Sequence, residues 1–314
     1  MTGGHNHGSG GSQGHSHGTA GGHRGRLALV LSITSVVFVV EVVGALVSGS
    51  LALLADAGHM LTDVAGLAIA LVAATLALRP ATAQRTWGYG RAEVLAAGFQ
   101  SALLLAVGVF VLIEGIRRLF EPPEVASSAM VVFGIVGLVG NTISILVLSR
   151  GQGSSINARA ALLEVVNDAL GSVAVLVAAA VIALTGWQRA DAVVSLLIAV
   201  LIVPRTLKLL RETLSVLLES TPPGLNLDEV REHLLRMPHV LEVHDLHASQ
   251  ITGEQPVLTA HVVVDDSCFS DGHAPQILDQ LQECLTGHFP VGVEHSTFQL
   301  EPRSHAAHED PAHA

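Results

Sequence analysis

The chain has 314 residues, of which 50% are hydrophobic and only 14% charged, with a mean hydropathy of +0.53 and a formal net charge of -11. So apolar a composition excludes an ordinary soluble globular protein and points to a chain that crosses a membrane several times. No basic patch with interleaved aromatics is present, which excludes nucleic acid as a partner. The 2 cysteines, Cys268 and Cys284, are too few for a disulfide framework and read as free thiols in a reducing compartment.

Residues 1–25 are a low-complexity run of Gly, Ser and His, predicted to be a disordered tail in which His5, His7, His15, His17 and His23 capture metal weakly. No cleavable signal peptide is expected, because the first apolar run is already of membrane-spanning length. Six apolar runs follow, at roughly 27–47, 51–78, 94–116, 128–148, 160–185 and 191–208, each near the ~20 residues that cross a bilayer. They define a six-helix transmembrane domain over 26–210. Val47-Ser48-Gly49-Ser50 breaks the first run from the second, so these two form a hairpin. Arg24, Arg26, Arg79, Arg85, Arg91, Arg150, Arg159, Arg205, Lys208 and Arg211 all fall on one side, against Arg117, Arg118 and Arg189 on the other. The positive-inside rule then puts both termini in the cytoplasm of a multi-pass cell-membrane protein.

The sixth run continues into a helical linker over 211–224, stopped by Pro222-Pro223-Gly224. A small soluble domain over 225–302 follows. It reads as a helix from Leu227 to Arg236 opened by Asn226, strands over Val240–Ser249 and Pro256–Val264, a helix over His273–Thr286 and a strand over Val291–Leu300. The αββαβ order suits an α+β sandwich with helices on one face of a sheet. The last stretch, 303–314, carries His305, His308 and His313 and is predicted to be disordered.

The chemistry sits in the second and fifth runs. His59 and Asp63 are four apart, so a helix places them one turn apart on one face; Glu164 and Asp168 repeat the spacing. Two helices with two ligands each close four-coordinate geometry around one divalent ion. His59 is the single histidine between Arg24 and Leu225. Ionisable residues in spans cost ~2.5–3.5 kcal/mol each on insertion scales and mark ion pathways more often than packing, although a polar helix–helix contact is the structural alternative. One imidazole with carboxylates suits Zn(II) and tolerates Co(II), Cd(II), Fe(II) or Mn(II), whereas the lack of a thiolate or Met cluster in the spans disfavours Cu(I). The same groups bind protons in the physiological range, so metal and proton compete for one site. Asp56, one turn before His59, is placed to orient its ring. Glu41 and Glu114 either relay protons or pair with Arg117 and Arg118, and Asn141 and Asn167 are expected to bridge helices. In the soluble domain, strand alternation points His261 away from the apolar face of Leu258, Ala260, Val262 and Val264. A cytosolic metal site is expected from His244, His261, His273, His295 and Glu301.

These stretches carry a resemblance. SLALLADAGHMLTD, TWGYGRAEVLAA, LLEVVNDALGSVAVL, DAVVSLLIAVLIVPRTLKLLRET and VLEVHDLHASQITGEQPVLTAHVVVD together resemble the cation diffusion facilitator family, the zinc-type metal/proton antiporters of bacterial kind. The resemblance runs from Leu27 to Pro302. It implies a secondary transporter rather than an enzyme, working as a homodimer in the lipid bilayer, with no prosthetic group. It also implies a ferredoxin-like cytosolic domain whose interface can bind metal. By resemblance the transport site falls on His59, Asp63, Glu164 and Asp168. Zinc-transporting members usually have His where this chain has Glu164, which makes the site harder and more negative. Some members hold a second ion in the loop after the second span; the loop here, RPATAQRTWGYGRAE, has no His or Asp, and no such site is expected. The rival reading is an intramembrane metal-dependent hydrolase, which would need an open coordination position and a general base. No HExxH stands in the chain. A metal-regulated channel is the third reading, and it needs no titratable ligands at mid-span.

Overall fold

The computed structural model describes residues 18–149, 156–253 and 255–306; the side chains of 18–28, 63, 67, 70, 71, 74, 77, 156–161 and 306 fall outside that description. His5, His7, His15 and His17, the side chain of His23, and His308 and His313 therefore lie outside the described residues.

Six long helices come first: α1 (Gly18–Ser48), α2 (Leu51–Ala77), α3 (Arg91–Phe120), α4 (Ser127–Ser149), α5 (Ile156–Thr185) and α6 (Arg189–Leu217). Among the described residues, five stretches are long and apolar enough to cross a membrane: Leu29–Ser48 of α1, all of α3 and α4, Leu162–Thr185 of α5, and α6. The breaks fall where the backbone must turn left-handed. Gly49 (φ 72°) separates α1 from α2, and Gly186 (φ 71°) separates α5 from α6. α1 begins at Gly18, inside the stretch whose composition reads as tail to residue 25. α6 continues into the expected linker as far as Leu217, so the linker is helical over its first half and not to 224, and the helix carries Pro204 inside it without stopping.

The chain divides into two compact units, one of Met1–Val64 with Phe110–Ala199 and one of Ala65–Val109 with Val200–Ala314. In the first, α4 packs against both α1 and α5. A seam of small residues on α4 makes this possible, as in other membrane bundles where glycines let backbones close in. A Cβ at Gly134 would stand 3.0 Å from Leu176 of α5, and one at Gly137 would stand 2.5 Å from Glu41 Oε1 of α1. At Gly140 it would collide with Val37 of α1. The apolar filling includes Ala45, Leu53, Met130, Val175, Ala179 and Ile182. Large apolar side chains such as Val36, Leu46, Ile113 and Leu163 are exposed, as a lipid-facing surface requires.

In the second unit the small domain follows the expected αββαβ order: α7 (Leu227–Leu235), β1 (Val240–Thr252), β2 (Gln255–Val264), α8 (Ala274–Gly287) and β3 (His295–Glu301). Asn226 caps α7, its side chain accepting from the Asp228 amide. β1 and β2 are antiparallel and β3 joins β2 in parallel, giving the order β1-β2-β3 among the described residues. Val230, Leu234, Leu258, Val262, Ile277 and Leu281 close one core between helices and sheet. Two short helices were not foreseen. A 3-10 turn covers Asp266–Phe269, and α9 (Arg303–Ala306) opens the stretch read as a disordered tail. The Arg303 amide donates to Asp266 Oδ1 at 3.1 Å, which ties the start of that stretch to the 3-10 turn.

Candidate metal sites

The membrane site begins with the way α2 is held at its start. Asp191, in the first turn of α6, is buried and accepts from Ser50 Oγ (2.5 Å), the Leu51 amide (2.7 Å) and the Ala52 amide (3.2 Å). Arg118 of α3 sits 3.7 Å from the same carboxylate and donates to the Gly49 carbonyl at 2.7 Å. The carboxylate thus satisfies free donors at a helix N-terminus and is itself offset by a cation. Sequence reasoning passed over Asp191. Its only sequence signal was an acidic residue in the first turn of an apolar run, opposite a Ser that begins another.

Two turns further on, His59 Nε2 lies 3.8 Å from Glu164 Oε1 and 3.9 Å from Asp168 Oδ1. α2 and α5 therefore bring three of the four expected ligands together. The fourth, Asp63, lies one helical turn beyond His59 on α2, with its side chain outside the described residues. A tetrahedral ion with bonds near 2.1 Å holds neighbouring donor atoms ~3.4 Å apart, and each of the two distances from His59 lies about half an ångström beyond that. Asp168 is buried, whereas Glu164 is partly exposed, so the donor set opens on the Glu164 side.

Behind these ligands lies a polar layer. Asp56 is buried against α5, where a Cβ on Gly171 would stand 2.6 Å from its Oδ1. Glu41 is fully buried, and neither carboxyl oxygen has a hydrogen-bond partner among the described residues. Asn141 Nδ2 donates to Ser172 Oγ at 3.4 Å, bridging α4 and α5 as expected. Asn167 does not bridge: it is exposed on α5, one residue round the helix from the inward-facing Asp168. Glu114 pairs with Arg118 at 3.0 Å and Arg117 at 3.7 Å, which favours the ion-pair reading for that residue and leaves Glu41 apart from it.

In the small C-terminal domain His244, His261 and Glu301 converge, with one donor atom from each within 4.8 Å of the others. Pairing of His244 with His261 across β1 and β2 places the rings 5.2 Å apart, edge to face. Glu301 lies on β3, with Oε1 at 2.8 Å from His261 Nδ1 and Oε2 at 3.5 Å from His244 Nε2. The carboxylate is buried beneath the two rings rather than displayed on a surface face. A register shift between His244 and His247, with Asp245 at φ 48°, bends β1 here and brings Asp245 Oδ2 to 3.9 Å from His261 Nε2. The other two candidates lie elsewhere. His273 bonds Asp271 at 2.9 Å and stacks on His239; that bond holds the Asp271 carboxyl below its usual range. His295 meets the ring of Trp87 edge-on, 4.7 Å between centroids. Strand alternation pointed His261 away from the apolar face but could not say which histidines meet.

A bundle of apolar helices in which carboxylates and an imidazole face one another, joined to a small sheet domain, fits a polytopic metal-cation transporter. Residues 27–218 match the cation efflux transmembrane domain, and residues 222–303 the cytoplasmic domain of cation efflux proteins. The chain belongs to the cation efflux family and is a transporter, which overturns the hydrolase reading. It is 42% identical over 288 residues to the metal cation efflux system protein CzcD of Cupriavidus metallidurans, covering 92% of this chain and 90% of that one. It is 38% identical over 278 residues to the zinc transporter ZitB of Escherichia coli, covering 88% and 87%. A cadmium, cobalt and zinc/H(+)-K(+) antiporter of Bacillus subtilis is 34% identical over 269 residues, covering 85% of each chain.

Proposed function

We propose that this protein exports Zn(II) from the cytoplasm in exchange for protons, accepting Cd(II), Co(II), Fe(II) or Mn(II) less selectively, through a site of His59, Asp63, Glu164 and Asp168. The observation that carries the reading is the approach of His59 Nε2 to Glu164 and Asp168, from two different helices, at 3.8 and 3.9 Å. In this reading α2 completes six spans, both termini face the cytoplasm, and two copies form the working unit through ferredoxin-like cytosolic domains. The relatives support the cargo: one is named for zinc, another for cadmium, cobalt and zinc against protons and potassium.

The mechanism follows from one donor set serving two cations. On the cytoplasmic side the ion displaces protons from the imidazole and carboxylates, because each metal–ligand bond needs a free lone pair. On the far side protons reclaim the same lone pairs and release the ion. Only one cargo fits at a time, so uphill export of metal is driven by inward movement of protons. Three carboxylates with one imidazole over-neutralise a divalent ion, so proton return is needed to reset the site. His244, His261 and Glu301 form a separate cytosolic site that senses the same ion.

The test is flux into proteoliposomes. Wild-type protein is expected to carry zinc against a pH gradient without any protein partner, and Asp168→Ala is expected to abolish that flux while remaining a folded protein in the membrane. Wild-type flux in Asp168→Ala would end the four-ligand assignment.

A further inference from the structure

We propose that the cytosolic domain carries another metal site, for a borderline-soft divalent cation, built from His233, Cys284 and His288. One donor atom from each of the three, a ring nitrogen from each histidine and the Cys284 sulfur, lies within 4.8 Å of the others. They come from two helices. Cys284 and His288 are four apart at the end of α8, where the His288 amide donates to the Cys284 carbonyl at 3.1 Å, so the two side chains share one face. His233 comes from the last turn of α7, and its ring lies 5.1 Å from that of His288.

The arrangement has a floor and a mouth. Cys284 is buried in the domain core, His233 is half-buried and His288 is exposed, so an ion reaches the sulfur past the two rings. Zn–S bonds near 2.3 Å and Zn–N bonds near 2.0–2.1 Å put neighbouring donors on a tetrahedral ion roughly 3.5 Å apart, within the reach of small rotations of the two histidines. Both helices end at this point, and the partial negative charge of their last carbonyls favours a cation there. A buried cysteine below a histidine resting on Phe289 (5.6 Å between centroids) would fill the core equally well. Packing alone, however, does not account for two imidazoles turned toward the same sulfur.

Two nitrogens and a sulfur form a softer set than the oxygen-rich site in the membrane. This set favours Zn(II), Cd(II) and Co(II) and discriminates against Mn(II). Burial pushes the Cys284 thiol above its usual range, so without an ion the sulfur keeps its proton at neutral pH. Binding forms a metal–sulfur bond, breaks the S–H bond and releases that proton to solvent, so occupancy falls as the pH falls. Three protein ligands leave one position for water, which makes the site exchangeable and suits a cytosolic sensor better than a permanent staple. None of this depends on the transport assignment.

Co(II) titration of the purified full-length protein tests it, because a thiolate bound to Co(II) gives a near-ultraviolet charge-transfer band that nitrogen and oxygen ligands do not. Neither His59, Asp63, Glu164 and Asp168 nor His244, His261 and Glu301 contains sulfur, so those sites are silent in this band. The expected result is a band in wild type that persists in Cys268→Ser, disappears in Cys284→Ser, and needs about tenfold or more Co(II) in His288→Ala. Should Cys284→Ser fail to fold, the exposed His288→Ala variant decides. No band in wild type at saturating Co(II), or a band unmoved by His288→Ala, would each overturn the site.

Discussion

Replacing Asp191 with alanine removes the clamp on the helix that carries His59. The carboxylate accepts one hydroxyl and two backbone amides from the start of α2, and Arg118 faces it at 3.7 Å. Hydrogen bonds to a charged acceptor contribute ~1.5–3 kcal/mol each when one is removed, but three to the same carboxylate do not add. Breaking a buried ion pair by deleting one partner costs ~3–5 kcal/mol; here Arg118 is partly exposed and keeps Glu114, so the loss comes mainly from the freed, buried donors at the start of α2. Those limits place the loss for Asp191→Ala at ~3–5 kcal/mol. Asp191→Asn keeps one carbonyl oxygen for the amides and loses the charge opposite Arg118, so ~1–3 kcal/mol is expected. Unfolding of the purified protein in mixed micelles, with increasing denaturing detergent, reads these differences directly. Zinc flux at temperatures where each variant is folded should also drop, because a loosened α2 no longer presents His59 opposite Glu164 and Asp168. An unfolding free energy of Asp191→Ala within ~0.5 kcal/mol of wild type would show that the cap is satisfied by water and that α2 is held some other way.

Glu164→His should restore two imidazoles to the membrane site and raise the ratio of zinc to manganese uptake into inverted vesicles, because imidazole is a softer donor than carboxylate; an unchanged ratio would remove Glu164 from the ligands. Glu301→Gln keeps the shape of the buried side chain and removes the charge between His244 and His261. It should weaken zinc binding at that site, in titrations of full-length protein already carrying Asp168→Ala and His288→Ala, by about tenfold or more; unaltered binding would place that ion elsewhere.

How much of this was legible in the sequence depended on how local the signal was. The i, i+4 pairs His59/Asp63 and Glu164/Asp168 were readable because helical periodicity alone puts each pair on one face, and only one histidine stands in the spans. That His59 faces the second pair is a packing fact, and the approach of His59 to Glu164 and Asp168 supplies it. Asp191 was missed for the complementary reason. Its partners at Ser50, Leu51 and Ala52 are about 140 residues away, and no periodicity links the start of one helix to the start of another. In the sheet, alternation separated Leu258 and Ala260 from His261, yet His273, His295 and Glu301 entered one candidate site together. Strand pairing then chose among them: His261 pairs with His244 on one side and with Gln299 on the other, two residues from Glu301, whereas His295 stands at the far end of β3. The cysteines were read from number alone, which says nothing of their neighbours.

The glycines of α4 bear on how any mutational survey of this protein would be interpreted. Gly137 has no side chain to offer a cation, but a single methyl group there meets Glu41 of one neighbouring helix at 2.5 Å and Ser172 of the other at 3.1 Å. A transporter silenced at position 137 would therefore look, in a growth assay on toxic metal, the same as one silenced at Asp168. The two failures differ in kind. In the proposed site, loss of Asp168 removes a donor, so no change of cargo or concentration restores it. The other displaces a layer of side chains by the volume of a carbon atom, and trimming Ser172 or Glu41 in the same molecule makes room again. Loss of resistance alone does not identify a ligand in such a bundle. Repair by a second, smaller side chain separates a residue that holds the ion from one that only leaves space for those that do.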